Sequence, residues 1–271
     1  TIKTDVDLDL NFEELKAAPV NRAELIKLFE ELEFYSLIKD MGVAPETEKI
    51  DKQYQTLRKR SEVQRLITTV KNVSMLSVDL ETTSTSPMLA EIVGISMSWK
   101  ANEGVYIPIQ FPGAQKSLFG DSDKIEFLEM LKPVLEDESI PKCGQNLKYD
   151  MLILRRYGIE LRGVGFDTMI AAFLIQPDAR SYKLDKLAQQ YLNYTMQPIE
   201  DLIGKGKNQI NMAEVPVDKV TFYAAEDADV ALQLVPILRE KLKKDQTEKV
   251  FRTIEMPLIP VLLQMEQNGV Y

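Results

Sequence analysis

The sequence predicts an α/β fold in which a mixed β-sheet is flanked by α-helices. Strand-like stretches crowd the first half and mostly helical patterns follow, an order that suggests a sheet with helical cover. One of those stretches, Met75-Leu76-Ser77-Val78-Asp79-Leu80-Glu81-Thr82-Thr83, reads as a buried strand with two acids set into it. The chain has 271 residues and is 45% hydrophobic, enough to bury one large core or two smaller ones.

The elements follow in order. Residues 2–10 alternate as a strand, with Val6, Leu8 and Leu10 on one face and Asp5, Asp7 and Asp9 on the other. That acid row fits a solvated edge strand better than a metal site, because charges commonly protect edges. Residues 21–41 carry Leu25, Leu28, Phe29, Leu32, Phe34 and Leu37 near helical spacing, which predicts an amphipathic helix ended by Gly42. Residues 43–53 are polar and contain Pro45, as a linker would. A short helix over 61–70, capped by Ser61, precedes the acid-bearing strand. After a turn at Ser86-Pro87, strands are expected at 92–99 and 105–109, joined by Asn102-Glu103-Gly104.

A helix over 122–135 and a strand over 140–144 come next. A helix over 146–157 is stopped by Gly158. Asp167 can cap a helix running to Ile175, and another helix spans 183–192 before a loop rich in Gly and Lys. The longest helical pattern covers 217–244, with Pro236 as an expected kink. A last helix, 249–267, ends at Asn268-Gly269.

Composition excludes several chemistries. There is no histidine, so no Ser-His-Asp triad, histidine zinc site or imidazole base is available. The single cysteine, Cys143, rules out a disulfide framework and fits a reducing cytoplasm. No window reaches the ~18–20 apolar residues of a membrane span. No apolar core of a secretory signal follows Thr1-Ile2-Lys3-Thr4-Asp5, and that start predicts a piece cut from a longer chain. A net charge of −9 argues against binding nucleic acid by bulk electrostatics, and is neutral toward a nuclease whose cations are bound metals.

Chemistry must therefore run on carboxylates, Tyr, Lys, Ser or a metal. Side chains alternate along a strand, so Asp79 and Glu81 share one face, roughly 6–7 Å apart at their α-carbons. Two unpaired anions on an interior face are costly, and magnesium prefers carboxylate oxygens. Asp-x-Glu alone also fits a solvated strand end. Asp150 follows the Cys143-Gly144 turn and equally suits an acid in a first helical turn. Tyr223 and Asp227 are four apart, on one helix face. Asp227 is also compatible with an exposed acidic face shared with Glu226 and Asp229.

Taken together, Asp79-Leu80-Glu81, Asn146-Leu147-Lys148-Tyr149-Asp150 and Tyr223-Ala224-Ala225-Glu226-Asp227 resemble the three exonuclease motifs of the bacterial DNA polymerase I family. That is the tyrosine-bearing branch of the DEDD 3′–5′ exonucleases, whose fold is ribonuclease H-like. Running similarity at residues 144–150, 157–167, 204–209 and 223–230 places the resemblance over roughly residues 48–255. Residues 1–43 resemble the close of the family's 5′-nuclease domain, 44–255 its exonuclease domain, and 256–271 the start of its polymerase domain.

The resemblance implies a proofreading exonuclease that uses two Mg2+ (or Mn2+) ions to release nucleoside 5′-monophosphates from single-stranded or frayed 3′ DNA ends. Asp79 would bridge the ions, Glu81 and Asp227 would complete the first site, Asp150 would hold the second largely through water, and Tyr223 would orient the attacking water. Thr82, Asn146, Tyr149, Arg180, Lys205, Lys207 and Gln209 would contact DNA. The loop 204–209 is no P-loop, since no Ser or Thr follows its lysine. Residues 83–88 lack a large apolar wedge where the family often has one. The expected setting is a monomer in the bacterial cytoplasm and nucleoid, with polymerase and 5′-nuclease domains linked covalently. An exoribonuclease of RNase D type would share the carboxylates, but the polymerase-like ends argue against it. A catalytically silent scaffold of the same fold is the other alternative, against which stand all four acids and the tyrosine.

Overall fold

A computed structural model of the chain describes residues 16, 20–32, 34, 37, 38, 41, 51–109 and 122–270. The chain divides into two units, Thr1–Thr47 and Glu48–Tyr271. In the first, helix α1 (Arg22–Glu31) stops ten residues short of the expected end at Met41. The Phe34 N–H turns to the Phe29 carbonyl, and the Leu37 and Ile38 N–H groups both turn to Phe34. Leu28 and Leu32 are exposed, so little burial supports a longer helix there. The expected strand over 2–10 and the linker residues 43–50 lie outside the described residues.

The second unit is built on six strands: β1 (Gln53–Thr56), β2 (Leu76–Thr82), β3 (Ile92–Lys100), β4 (Glu103–Pro108), β5 (Lys142–Gly144) and β6 (Val164–Asp167). Their order is β1-β4-β3-β2-β5-β6. Strand β3 runs antiparallel to β2 and β4, whereas β2, β5 and β6 are mutually parallel and β1 is parallel to β4. The acid-bearing β2 is thus central. The edge strands β1 and β6 were not expected from sequence: Gln-Tyr-Gln-Thr and Val-Gly-Phe-Asp are too short and too poor in apolar residues to show alternation. The β3–β4 turn is also tighter than expected, at Ala101-Asn102, with Asn102 taking φ 66° and Glu103 already in the strand.

Among the described residues the longer helices are α2 (Arg60–Val70), α3 (Ser122–Leu135), α4 (Leu147–Arg156), α5 (Thr168–Ile175), α6 (Leu184–Leu192), α7 (Val217–Lys244) and α8 (Met256–Gln267). Ser61 lies inside α2 and does not cap it. The Glu62 carboxylate caps it instead, accepting the N–H groups of Lys59 at 3.0 Å and Arg58 at 2.9 Å. Pro236 sits within α7 without ending it. A π turn, Phe251–Glu255, leads into α8 and interrupts the helix expected over 249–267.

One core joins the Leu76, Val78 and Leu80 face of β2 to α2, α3 and α4, through Val63, Leu131 and Ile153 among others. A second lies under α5, α6 and α7, around Phe166, Leu234 and Phe251. Burying each such side chain stabilises the fold by about 1.5–3 kcal/mol. The sheet is therefore sandwiched, and the acids of β2 face α7.

Candidate metal centre

Three elements converge on one face of the sheet. Strand alternation sends Leu76, Val78 and Leu80 into the first core and leaves Ser77, Asp79 and Glu81 beneath α7. Ala224, Ala225 and Ala228 are fully buried, and these small side chains let α7 lie close to the strands. One carboxylate oxygen from each of Asp79, Glu81 and Asp227 lies within 4.8 Å of the others. Asp150, in the first turn of α4, is buried and feels the charge of Asp79 above that of Asp167 and Glu81.

Electrostatics make this cluster unhappy as it stands. Burial pushes the Asp79 carboxyl up to about 6, opposed by the Ser96 hydroxyl on β3. Burial and then the Asp79 charge push Glu81, Asp150 and Asp227 well above the usual carboxylate range. A Leu80 backbone group favours ionised Asp150 against that trend. The Tyr223 hydroxyl interacts with the Asp227 carboxylate, and burial followed by the Asp227, Glu81 and Asp79 charges raises its own pKa. Among the described residues, no lysine or arginine pairs with any of the four acids.

A hard divalent cation fits this arrangement. Glu81 Oε1 is buried with no hydrogen-bond partner among the described residues. The donors are all carboxylate oxygens, which suits Mg2+ or Mn2+ and not a thiophilic ion. Asp79, Glu81 and Asp227 can hold one ion directly, and Asp150 stands apart from that tight trio.

Glu226 and Asp229, the acids beside Asp227 on α7, are buried rather than exposed, which removes the exposed-face reading of Asp227. Glu226 is 1% exposed and Asp229 0%. Glu226 accepts the Tyr194 hydroxyl and the Gln197 N–H, the latter at 2.7 Å. Asp229 accepts Lys52 Nζ at 2.8 Å, the Tyr54 hydroxyl at 2.6 Å, the Asn102 N–H at 2.8 Å and Gln233 Nε2 at 2.8 Å. Little local signal marks these two acids as structural, since apart from Gln233, four residues on in α7, their partners come from the Lys52–Tyr54 segment, the β3–β4 turn and a loop before α7.

The expected DNA-contacting residues fall into two groups. Thr82, Asn146 and Tyr149 border the acids. The Tyr149 hydroxyl is shared between Thr82 Oγ1, at 2.7 Å, and the Ser84 carbonyl. Asn146 takes φ 57° at the start of α4, with its N–H directed at Asp167. Lys205, Lys207 and Gln209 are exposed on a loop closed by the Ile210 N–H and Ile203 carbonyl at 2.9 Å. Asn211, which drew no attention in the sequence, ties this loop to the end of β2 by donating to the Thr83 carbonyl at 2.8 Å. Arg180 is exposed between α5 and α6, with no contact to the acids.

Comparison with known proteins is consistent across methods. Residues 54–243 match the family model for 3′-5′ exonuclease. The chain is 34% identical to DNA polymerase I of Pseudomonas aeruginosa, over 99% of this chain and 31% of that protein. It is 35% identical to DNA polymerase I of Rhizobium leguminosarum over 80% of this chain and 23% of that protein. It therefore spans a third or less of the length of these relatives. Among solved structures, the POL domain of Pol1 from M. smegmatis in complex with DNA primer-template and dNTP superposes with a TM-score of 0.59 at 22% identity, covering 78% of this chain and 31% of that one. Brucella melitensis NrnC superposes with a TM-score of 0.58 at 19% identity, covering 80% and 93%. These likenesses establish the exonuclease fold, consistent with the ribonuclease H-like class.

Proposed function

The chain belongs to the 3′–5′ exonuclease family in the form carried by DNA polymerase I, and from that premise we propose that it removes nucleotides stepwise from single-stranded or frayed 3′ ends of DNA with two divalent ions. The observation that carries the reading is the cation-free cluster of Asp79, Glu81 and Asp227 with the orphaned Glu81 oxygen. Asp79, Glu81 and Asp227 would hold one Mg2+ or Mn2+, and Asp150, with Asp79, would hold a second. Such ions lower the pKa of a bound water and stabilise charge on the leaving 3′ oxygen. Tyr223, whose hydroxyl interacts with Asp227, would orient the attacking water in a chain that has no histidine to do so. Tyr149 and Thr82 hold the strand's terminal nucleotides beside the acids, and Lys205, Lys207, Gln209 and Arg180 meet phosphates further out. Residues 44–255 form the exonuclease domain of a longer polymerase, with 1–43 and 256–271 leading to its 5′-nuclease and polymerase neighbours.

The test is digestion of a 3′-hydroxyl DNA oligonucleotide with Mg2+, beside EDTA, Asp227→Ala and a matched RNA oligonucleotide. Stepwise loss from the 3′ end, abolished by chelation and by the substitution, supports the reading. Faster digestion of RNA than DNA overturns its substrate. No cleavage with either Mg2+ or Mn2+ makes the chain a silent scaffold.

A further inference from the structure

The turn that delivers Asp150 is not capped by its own side chains. The chain leaves β5 at Gly144, where a Cβ would meet the Val78 carbonyl oxygen at 2.6 Å, so only glycine lets β5 lie this close beside the acid strand. It then reverses through Asn146 in the left-handed region, and the Asn146 side chain makes no cap bond to α4. The first N–H groups of a helix have no partner within it and need one from elsewhere.

That partner is Asp167, at the end of β6 and 1% exposed. Its Oδ2 accepts the Leu147 N–H at 2.7 Å, and its Oδ1 accepts the Asn146 N–H at 3.3 Å. The same Oδ1 accepts the Met169 and Ile170 N–H groups at 2.9 and 3.2 Å, capping α5. Thr168 strengthens the junction by donating to the Gly144 carbonyl at 3.0 Å. One carboxylate thus holds the N-termini of two helices, and the positive N-terminal end of each helix dipole favours its charge. A helix is stiff over one turn, so fixing Asn146 and Leu147 fixes Asp150 relative to β2.

We propose that Asp167 is a positioning residue for the second metal site: by clamping the start of α4 to the start of α5, it sets Asp150 opposite Asp79. Asp167 touches neither substrate nor metal. The inference rests on the two-ion reading of the site and adds a residue outside the acid quartet. Asparagine with its oxygen in the place of Oδ1 keeps the cap on α5 and the longer bond to Asn146, and presents an amide to the Leu147 N–H, so it loses the shortest bond to α4. Alanine releases both.

The experiment counts Mn2+ ions bound, by paramagnetic titration of the full chain without substrate, in wild type, Asp167→Asn, Asp167→Ala and Leu242→Ala. Leu242 is buried at the far end of α7, and its truncation is a control for lost stability alone. Wild type is expected to bind two ions. Asp167→Asn is expected to bind the tighter ion normally and the weaker one about 10- to 100-fold less well, with kcat lowered more than KM changes. Leu242→Ala is expected to melt at a lower temperature and still bind both ions. If Asp167→Asn takes up both ions as wild type does, or Leu242→Ala loses the weaker ion equally, the positioning role is overturned. If wild type itself binds fewer than two ions, the two-ion reading fails, and this inference with it. Should Asp167→Ala not fold, Asp167→Asn decides the matter.

Discussion

Asp227 and Asp229 stand two residues apart on α7 and have opposite characters. Asp229 is fully buried with a lysine, a tyrosine hydroxyl, a backbone N–H and a glutamine amide around it, so its charge is compensated within the protein. Asp227 faces Asp79 and Glu81 and interacts with the Tyr223 hydroxyl, and among the described residues no lysine or arginine pairs with it. The helix turns about 100° per residue, which is enough to send two neighbouring acids into different environments. Burial alone therefore does not mark a functional acid. What marks it is burial together with missing compensation.

The largest effect expected to test that contrast is on activity. Asp227→Asn should lower exonuclease turnover by about 10³-fold or more, the scale of losing metal-borne charge stabilisation. The same change should leave the metal-free protein as stable as wild type or more so, because it removes a repelled anion. A clear loss of melting temperature without metal would put Asp227 in the structural class instead.

Asp229→Ala is expected to do the reverse, costing about 3–5 kcal/mol in urea unfolding by stranding Lys52, whose side chain is 9% exposed. At temperatures where the variant is folded, Mn2+ binding at the Asp79 cluster should survive. If binding disappears while the fold persists, the two acids act as one unit.

Tyr223→Phe removes the hydroxyl that interacts with Asp227, and turnover should fall about 10- to 100-fold through misplacement of the attacking water. Mn2+ affinity should change little, and a matching loss of affinity would argue that Tyr223 shapes the metal site itself.

The smallest effect is in pH. Folding raises the carboxyl pKa values of Asp79 and its neighbours above their unfolded values, so the metal-free fold binds more protons than the unfolded chain. The stability so conferred is full below about pH 4 and is lost as pH rises through about 6 for Asp79 and through the raised pKa values of the others. Urea midpoints without metal should show that loss, and millimolar Mg2+ should oppose it at the upper end. In Asp227→Asn the slope should shrink. A metal-free midpoint that is flat across this window would mean the cluster is already neutralised.

Much of this was legible along the chain. The alternation of Leu76, Val78 and Leu80 against Asp79 and Glu81 assigned both faces of β2 before any neighbour was known. The i, i+4 spacing of Tyr223 and Asp227 likewise anticipated their contact. Glu226 and Asp229 were not legible, because an acid that follows an alanine reads the same whether its partner is water or a residue such as Lys52. The strands β1 and β6 escaped for a related reason: four residues at a sheet edge are held by hydrogen bonds to a neighbour distant in sequence.

By itself, then, the sequence determined local geometry and available chemistry. A strand or helix presents its side chains by its own period, and a chain without histidine must use carboxylates. Only the tertiary structure decided which acids are compensated and which are left facing one another. Charge compensation depends on distances of a few ångströms between segments far apart in the chain, such as Asp229 to Lys52 or Asp167 to Leu147, and the packing of helices on the sheet sets those distances.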